Sequence, residues 1–485
     1  MKWYAKRMGS LLIIWSLPFA ALAENHQPAV PESRTPGTAQ AGSLASICDL
    51  TSKPKSVYID ENGRCWTQAD EEATTEETAS NDGVLRLRQY QLEQRSILSK
   101  ASNMDEMQVL RAAMTRADMR ESTAVRKGPY IFEGVFRYPV ELEELRCKRT
   151  REVIQRIKPG IDEDPVYLEQ LARQAASLEM VLPGGDLGES QDASRIPLHR
   201  ILIGTVPAYK SKIETRRYGD YHLVILSDSF FSFIFQAAES VVLSWRVLGA
   251  KPGANYGFSP AQGDVEEVLK TDSGPQERLY TMLHRWLITT GLPHSQEFTT
   301  PPGPYRSAWD LIVDHAERFA IAHEYGHIVS DNLPVQDHEK ELAADRFALK
   351  WETISAKKLD FLPPNIALQG GLFYLTALDI VRQALDMYEC GYVTTDSGSK
   401  SHPPLQSRVE ALKQAYRGQF GEGVKYTVPI EGAVGQGKTI DLDIKGALAP
   451  SETLKFLWSR IEKRFVKDPR SPANVHRIWD RNSCL

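Results

Sequence analysis

A proline-free run from residue 307 to 330, SAWDLIVDHAERFAIAHEYGHIVS, constrains this chain more than any other stretch. Its apolar positions Ile312, Ala316, Phe319 and Ala320 recur at three- and four-residue steps, the period of an amphipathic helix. One long helix is predicted, with Ser307 and Asp310 shaped like a capping box at its start. Near its end stands His323-Glu324-Tyr325-Gly326-His327, an H-E-x-x-H pattern. Residues four apart on a helix are about 40° apart around the axis, so both imidazoles can reach one metal ion. Glu324 lies roughly 100° round from His323, close enough to hold a water beside that ion.

A five-residue match also arises by chance in helices rich in His and Glu. The next segment of the chain gives it weight. After a break at Ser330-Asp331-Asn332-Leu333-Pro334, a second helix is expected from near Asp337, with Glu341 and Asp345 on one face. A catalytic zinc takes three protein ligands and keeps a fourth position open. His323, His327 and Glu341 complete that set for one zinc ion. Asp345 can accept a hydrogen bond from the far nitrogen of a ligand histidine, which fixes its tautomer. The alternative is that Glu341 and Asp345 form a solvated helix face.

HEYGH followed by Glu341-Leu342-Ala343-Ala344-Asp345 resembles the gluzincin metallopeptidases, most closely the CAAX-prenyl endopeptidases and the HtpX heat-shock protease. A third segment fits: His402-Pro403-Pro404-Leu405-Gln406-Ser407-Arg408, an H-P-x-x-x-x-R run that opens a helix in that family. The resemblance covers about residues 221–416. It implies a zincin-like domain, one zinc ion and hydrolysis of protein or peptide substrates. It also makes His402 the donor to the oxyanion, and Arg408 a residue that anchors substrate or orients the site. Glu324 is then the general base. The longer pattern H-E-x-x-H-x-x-G-x-x-H is not met, because Ser330 and Leu333 stand where its Gly and His would be.

The N-terminus reads as a secretion signal. Lys2, Lys6 and Arg7 precede a short apolar run from Leu11 to Phe19, and Ala21-Leu22-Ala23 matches an A-x-A cleavage site. Export follows, to a periplasm in a bacterium and to the outside otherwise. The alternative is a signal anchor, but the run is short for a membrane span. The best later apolar run, Val224 to Phe235, is interrupted by Asp228, so the mature chain is expected not to be membrane-embedded. A formal charge of −5 over 485 residues gives no argument for a nucleic-acid partner.

Residues 24–46 are rich in Pro, Ala and Ser and read as a flexible leader; Thr67 to Asp82 is an acidic linker. Five cysteines are present. Cys48 and Cys65 bracket a segment containing the turn Asp60-Glu61-Asn62-Gly63 and could close a small loop. Cys147, Cys390 and Cys484 remain, and sequence does not choose the pairing. Helices are expected over Leu85 to Glu121, Val140 to Ile157 and Pro165 to Met180, with no catalytic constellation among them.

The pattern changes at Pro183-Gly184-Gly185. His199 to Val206 and Tyr221 to Leu226 read as strands joined by a polar connection through Tyr209 to Asp220, and Asp228 is expected to cap an apolar helix. Residues 251–274 read as a loop ending in a Gly274-Pro275 turn, then a helix from Pro275. His284 has no acidic or histidine partner at helical spacing, and His315, two turns before His323, lies about 80° round the helix, so both are taken as non-ligating. Ala367 to Tyr388 is a strongly apolar helix. Gly432-Ala433-Val434-Gly435-Gln436-Gly437-Lys438-Thr439 matches the phosphate-cradling G-x-x-x-x-G-K-T, but a working P-loop opens into a helix. Here residues 440–444 alternate like a strand, so no nucleotide is expected; Tyr426 to Ile430 and Ile440 to Ile444 form two strands, and Ser451 to Val466 a basic helix.

The expected fold is α+β and mainly helical: a zincin-like metallopeptidase domain with a small sheet and a helical N-terminal extension. Its segments are 1–23 (signal), 24–82 (leader and linker), 83–182 (helical region), 183–420 (metallopeptidase) and 421–485 (C-terminal hairpin and helix). The expected activity is zinc-dependent endopeptidase. The alternatives are an exported chaperone-like or binding protein whose zinc site is structural or vestigial, and a zinc hydrolase of non-peptide amides.

Overall fold

The run that carries His323 and His327 folds as one 28-residue helix, Gly303–Ser330, and the other elements are stacked around it. The structure, a computed structural model, describes residues 57–59, 65–67, 82–102, 140–157, 165–188, 196–206, 213–248, 257–287, 301, 303–330, 336–360, 362–393, 402–421, 423–429 and 437–466. The chain begins with β1 (Val57–Ile59) and β2 (Cys65–Thr67), paired antiparallel on either side of the expected turn. Three helices follow: α1 (Asp82–Ser102), α2 (Val140–Ile157) and α3 (Pro165–Val181). Next come β3 (Ile201–Val206), β4 (Ile213–Tyr218), β5 (Tyr221–Ser227), α4 (Asp228–Leu243), β6 (Arg246–Leu248) and β7 (Gly257–Ser259). Six helices, α5 (Gln262–Thr271), α6 (Gly274–Leu287), α7 (Gly303–Ser330), α8 (Asp337–Leu359), α9 (Asn365–Glu389) and α10 (Leu405–Phe420), lead to the hairpin β8 (Gly423–Pro429) and β9 (Gly437–Asp443), and α11 (Ile444–Val466) ends the described chain. The fold is mainly helical with a small mixed sheet. Among the described residues no helix is long and apolar enough to cross a membrane.

The central sheet has the order β3-β5-β4. β3 and β5 run parallel, Ile201 opposite His222, and β4 runs antiparallel to β5, Thr215 opposite Val224. The connection expected to be polar thus holds a third strand. Its sequence, Ile-Glu-Thr-Arg-Arg-Tyr, puts charged or polar groups on both faces, so the apolar alternation that marks a half-buried strand is absent. Charge of this kind is usual on an edge strand, where it discourages pairing with other chains. The turn into β5 is tight, with Gly219 at φ 57°.

One sheet face, with Ile201, Ile203, Val224 and Leu226, joins the main core. The other, with Leu202, Val206, Leu223 and Ile225, is covered by Val84, Leu87 and Tyr90 of α1. Val153 of α2 and Leu171 and Leu178 of α3 share the main core with Phe319 and Leu454. Pro183 therefore marks a change of pattern, but α2 and α3 before it enter the same core as the helices after it.

Several local expectations are corrected. α7 starts at Gly303, four residues before Ser307, so Ser307 and Asp310 form no capping box; Pro304, whose fixed φ suits a first turn, lies at its start. Asp310 lies inside the helix, buried, 3.9 Å from Arg306 Nε. Ser227, not Asp228, caps α4, its hydroxyl accepting from the Phe230 amide. The loop expected over 251–274 holds α5, whose Val265 and Leu269, one turn apart, are buried. α11 begins at Ile444, directly after a strand, and carries Pro450 inside it. Its buried stripe of Ile444, Ala447, Leu454, Leu457, Trp458, Ile461 and Phe465 spans the whole helix. Gly437, Lys438 and Thr439, expected in the connection, are strand residues, and Ile444, expected in the strand, opens α11; the G-x-x-x-x-G-K-T run leads into a strand.

Cys147, buried in α2, and Cys390, at the end of α9, are both disulfide-bonded. The expected signal segment, the leader, Cys48, Cys484 and the part of the first helix beyond Ser102 lie outside the described residues.

Candidate metal centre

α7 and α8 cross closely enough to bring three donors together, and a missing side chain allows it. A Cβ on Gly326 would stand 2.7 Å from Ala344 Cα, so only glycine fits between the two helices. α9 packs against α7 nearer its start, where Gly370 and Gly371 lie against His315 and the Phe319 ring. Tyr325, the other intervening residue of the motif, points to the opposite side of α7. It is fully buried, and its hydroxyl donates to Glu179 Oε1 of α3 at 2.8 Å. Glu179 also pairs with Arg156 of α2, whose Nη1 donates to the carbonyls of Leu198 and Ile201 at the entry to β3. This buried node ties the helix to α2, α3 and the sheet.

With the helices so placed, His323 Nε2 and His327 Nε2 are 3.0 Å apart. Glu341 Oε2 is 3.4 Å from the first and Glu341 Oε1 is 3.3 Å from the second. Donors about 2.0–2.1 Å from one ion at a tetrahedral angle are about 3.3–3.4 Å from each other. The three side chains are therefore already at ligand spacing. Glu341 Oε2 is buried without a hydrogen-bond partner, although Arg408 Nη1 lies 3.3 Å away. A buried acceptor in that state is what a cation would satisfy. Among the described residues this is the one group of histidine, cysteine and carboxylate side chains arranged to hold a metal ion.

Asp345 Oδ1 lies 3.0 Å from His323 Nδ1. That contact holds a proton on Nδ1, so Nε2, which faces His327 and Glu341, is the nitrogen that would offer its lone pair to an ion. Arg408 closes the cluster from α10: Nε donates to Asp345 Oδ2 at 2.8 Å and Nη2 to Oδ1 at 2.7 Å. Its remaining nitrogen lies against Glu341. Of the two roles expected for Arg408, orienting the site is the one this geometry provides, since the guanidinium is buried and fully engaged within the cluster. His402 stands on the rim, 58% exposed, with Nε2 3.3 Å from Glu341 Oε1.

Charge is concentrated here. Burial alone would lower the His323 pKa, but the carboxylates of Asp345 and Glu341 beside its two ring nitrogens outweigh it and push it up to about 9. Burial would raise both acids, yet the two histidines and Arg408 hold Glu341 far below the usual carboxylate range, and Arg408 and His323 keep Asp345 below it. Without a cation the cluster holds a proton on His323, which a metal ion would displace.

Glu324 is buried beside the group and outside it, its Oε2 accepting from Thr215 Oγ1 of β4 at 2.8 Å. Thr215 is a site neighbour that sequence reasoning missed, as is Tyr374 of α9, which is buried against Phe230 and Phe319. Burial and the carboxylates of Glu324, Asp345 and Glu341 raise the pKa of its hydroxyl, against the opposing effect of Arg408. The two histidines taken as non-ligating lie elsewhere: His315 pairs with Glu352 of α8, and His284 rests beside the Tyr280 ring. No protein-family model, curated protein or solved structure matches this chain.

Proposed function

We propose that this chain is a zinc-dependent endopeptidase of the gluzincin type, acting on protein or peptide substrates in an exported compartment. The observation that carries the reading is the donor triangle of His323, His327 and Glu341 at 3.0–3.4 Å, with a fourth ionisable group, Glu324, beside it but not in it. A purely structural site has no need of a carboxylate held there. Two disulfide-bonded cysteines and the signal-like N-terminus support export.

His323, His327 and Glu341 would hold the zinc. When bound, the ion supplies Lewis acidity, making water a stronger acid and the scissile carbonyl a better electrophile. Glu324 takes the proton from the attacking water and later delivers it to the leaving amine. His402, exposed on the rim, donates to the oxygen that becomes negative as the carbonyl is attacked. Asp345 keeps the His323 ring in its working tautomer, and Arg408 keeps Asp345 and Glu341 in place.

The test combines metal analysis with a casein-type assay on the mature chain. The wild type is expected to bind one zinc and to release peptides in a chelator-sensitive way. Glu324→Gln is expected to keep zinc and lose cleavage. Full activity in that variant would remove the proposed base, and stoichiometric zinc without turnover in the wild type would favour a binding protein instead.

A further inference from the structure

The edge strand reaches the site through one side chain. Thr215 lies on the β4 face turned towards α7, and its hydroxyl stands 2.8 Å from Glu324 Oε2 and 3.2 Å from the Glu324 carbonyl oxygen. A hydroxyl has one proton to give, and the carboxylate, nearer and charged, takes it. Threonine is also the stiffer choice, because its branched Cβ restricts rotation about χ1. The strand beneath it is fixed from behind. Glu214 and Arg216, on the opposite face, pair with each other at 2.9 Å, and the Arg216 guanidinium lies 4.4 Å from the centre of the Tyr90 ring of α1.

We propose that Thr215 is a positioning residue for the general base, holding one oxygen of Glu324 so that the other is presented to the attacking water. This rests on the peptidase reading. A carboxylate on a flexible side chain has several rotamers; one fixed oxygen leaves a single orientation, and the hydroxyl gains nothing from substrate affinity. Removing it should therefore lower kcat and spare KM and metal binding. The strand that supplies Thr215 belongs to the sheet that α1 covers, so the N-terminal helix contributes indirectly to the placement of the base.

The test compares Thr215→Val, which keeps the shape and removes the donor, with Thr215→Ser, which keeps the donor. Peptide hydrolysis by the zinc-loaded full chain is measured together with zinc affinity and the binding of a peptide hydroxamate by calorimetry. Thr215→Val should lose tenfold or more in kcat with KM and zinc affinity within twofold of wild type, and bind the hydroxamate, whose proton Glu324 must hold, about tenfold more weakly. Thr215→Ser should restore most of both. If Thr215→Val keeps wild-type kcat and hydroxamate affinity, or if Thr215→Ser is as impaired as Thr215→Val, the positioning role is overturned. A wild type that takes no zinc or binds no hydroxamate overturns the site reading itself and this inference with it. Wild-type protein that binds both but cleaves nothing breaks the peptidase reading alone, and the calorimetric arm still decides Thr215.

Discussion

Gly326→Ala isolates the contact that sets the spacing of the three proposed metal ligands. The added methyl would meet Ala344 Cα at 2.7 Å and Ala344 Cβ and carbonyl oxygen at 3.0 Å. Carbon atoms in ordinary contact stand about 3.5–4.0 Å apart, so α7 and α8 must part locally by roughly 1 Å. Glu341 lies one turn before Ala344 on the displaced helix, and metal–ligand distances tolerate only about 0.2 Å. Its carboxylate then leaves the triangle that now measures 3.0–3.4 Å, and the ion keeps two of three ligands. Overpacking of a well-filled contact also costs about 1–3 kcal/mol of stability. The expected result is a zinc affinity at least tenfold weaker, measured by competition with a chromogenic chelator, and a lower Tm in the presence of chelator. Gly418→Ala is the control. That glycine is also helical, a Cβ there meets nothing within 4 Å, and the change should leave zinc affinity unchanged and stability equal or better by up to about 1 kcal/mol. Wild-type affinity and Tm in Gly326→Ala would refute the argument that this contact sets the helix spacing.

Arg408→Lys loses the two parallel hydrogen bonds to Asp345, which a single ammonium cannot reproduce; a zinc affinity about tenfold or more below wild type is expected in calorimetry, with helical content retained by circular dichroism. The Asp360 carboxylate is largely buried, its side chain 8% exposed, which would raise its pKa, but Arg318 and Arg146 bring it down from the usual 3.8 to about 2. A lowered folded-state pKa contributes stability that is fully present above pH about 4 and disappears as pH falls through about 2. That difference corresponds to about 2 kcal/mol. Asp360→Asn should therefore lower the neutral-pH unfolding free energy by at least that order and flatten its fall between pH 4 and 2, as followed by urea titration.

Much of this arrangement is legible along the chain because it is local. The bounds of α2 and the starts of α3 and α8 follow from the sequence, and His323, His327, Glu341 and Asp345 stand at helical spacings that place each pair on one face. What escapes is what depends on residues distant in sequence. Thr215 touches Glu324 across 109 residues, and nothing in Ile-Glu-Thr-Arg-Arg-Tyr distinguishes a charged edge strand from a polar loop. Gly326 reads as a mild helix breaker until Ala344 is seen against it. The start of α7 escapes for a related reason: Ser307 offers a plausible cap, but Pro304 is as good a beginning, and nothing in the local sequence chooses between them. Arg408 could equally have faced substrate; its burial against Asp345 is a tertiary fact.

Tyr325 has a consequence for how the chain can be divided. Its phenol is anchored on Glu179, which Arg156 neutralises, so the buried side of the motif-bearing helix depends on two partners supplied more than a hundred residues earlier. A fragment beginning after Leu182 would keep every proposed ligand yet strand that hydroxyl against an emptied wall, while Arg156 and Glu179 left with the discarded part. The shortest portion worth producing as an independent unit therefore includes the first helices, and a minimal catalytic half cut at the change in sequence pattern would be expected to aggregate rather than to work.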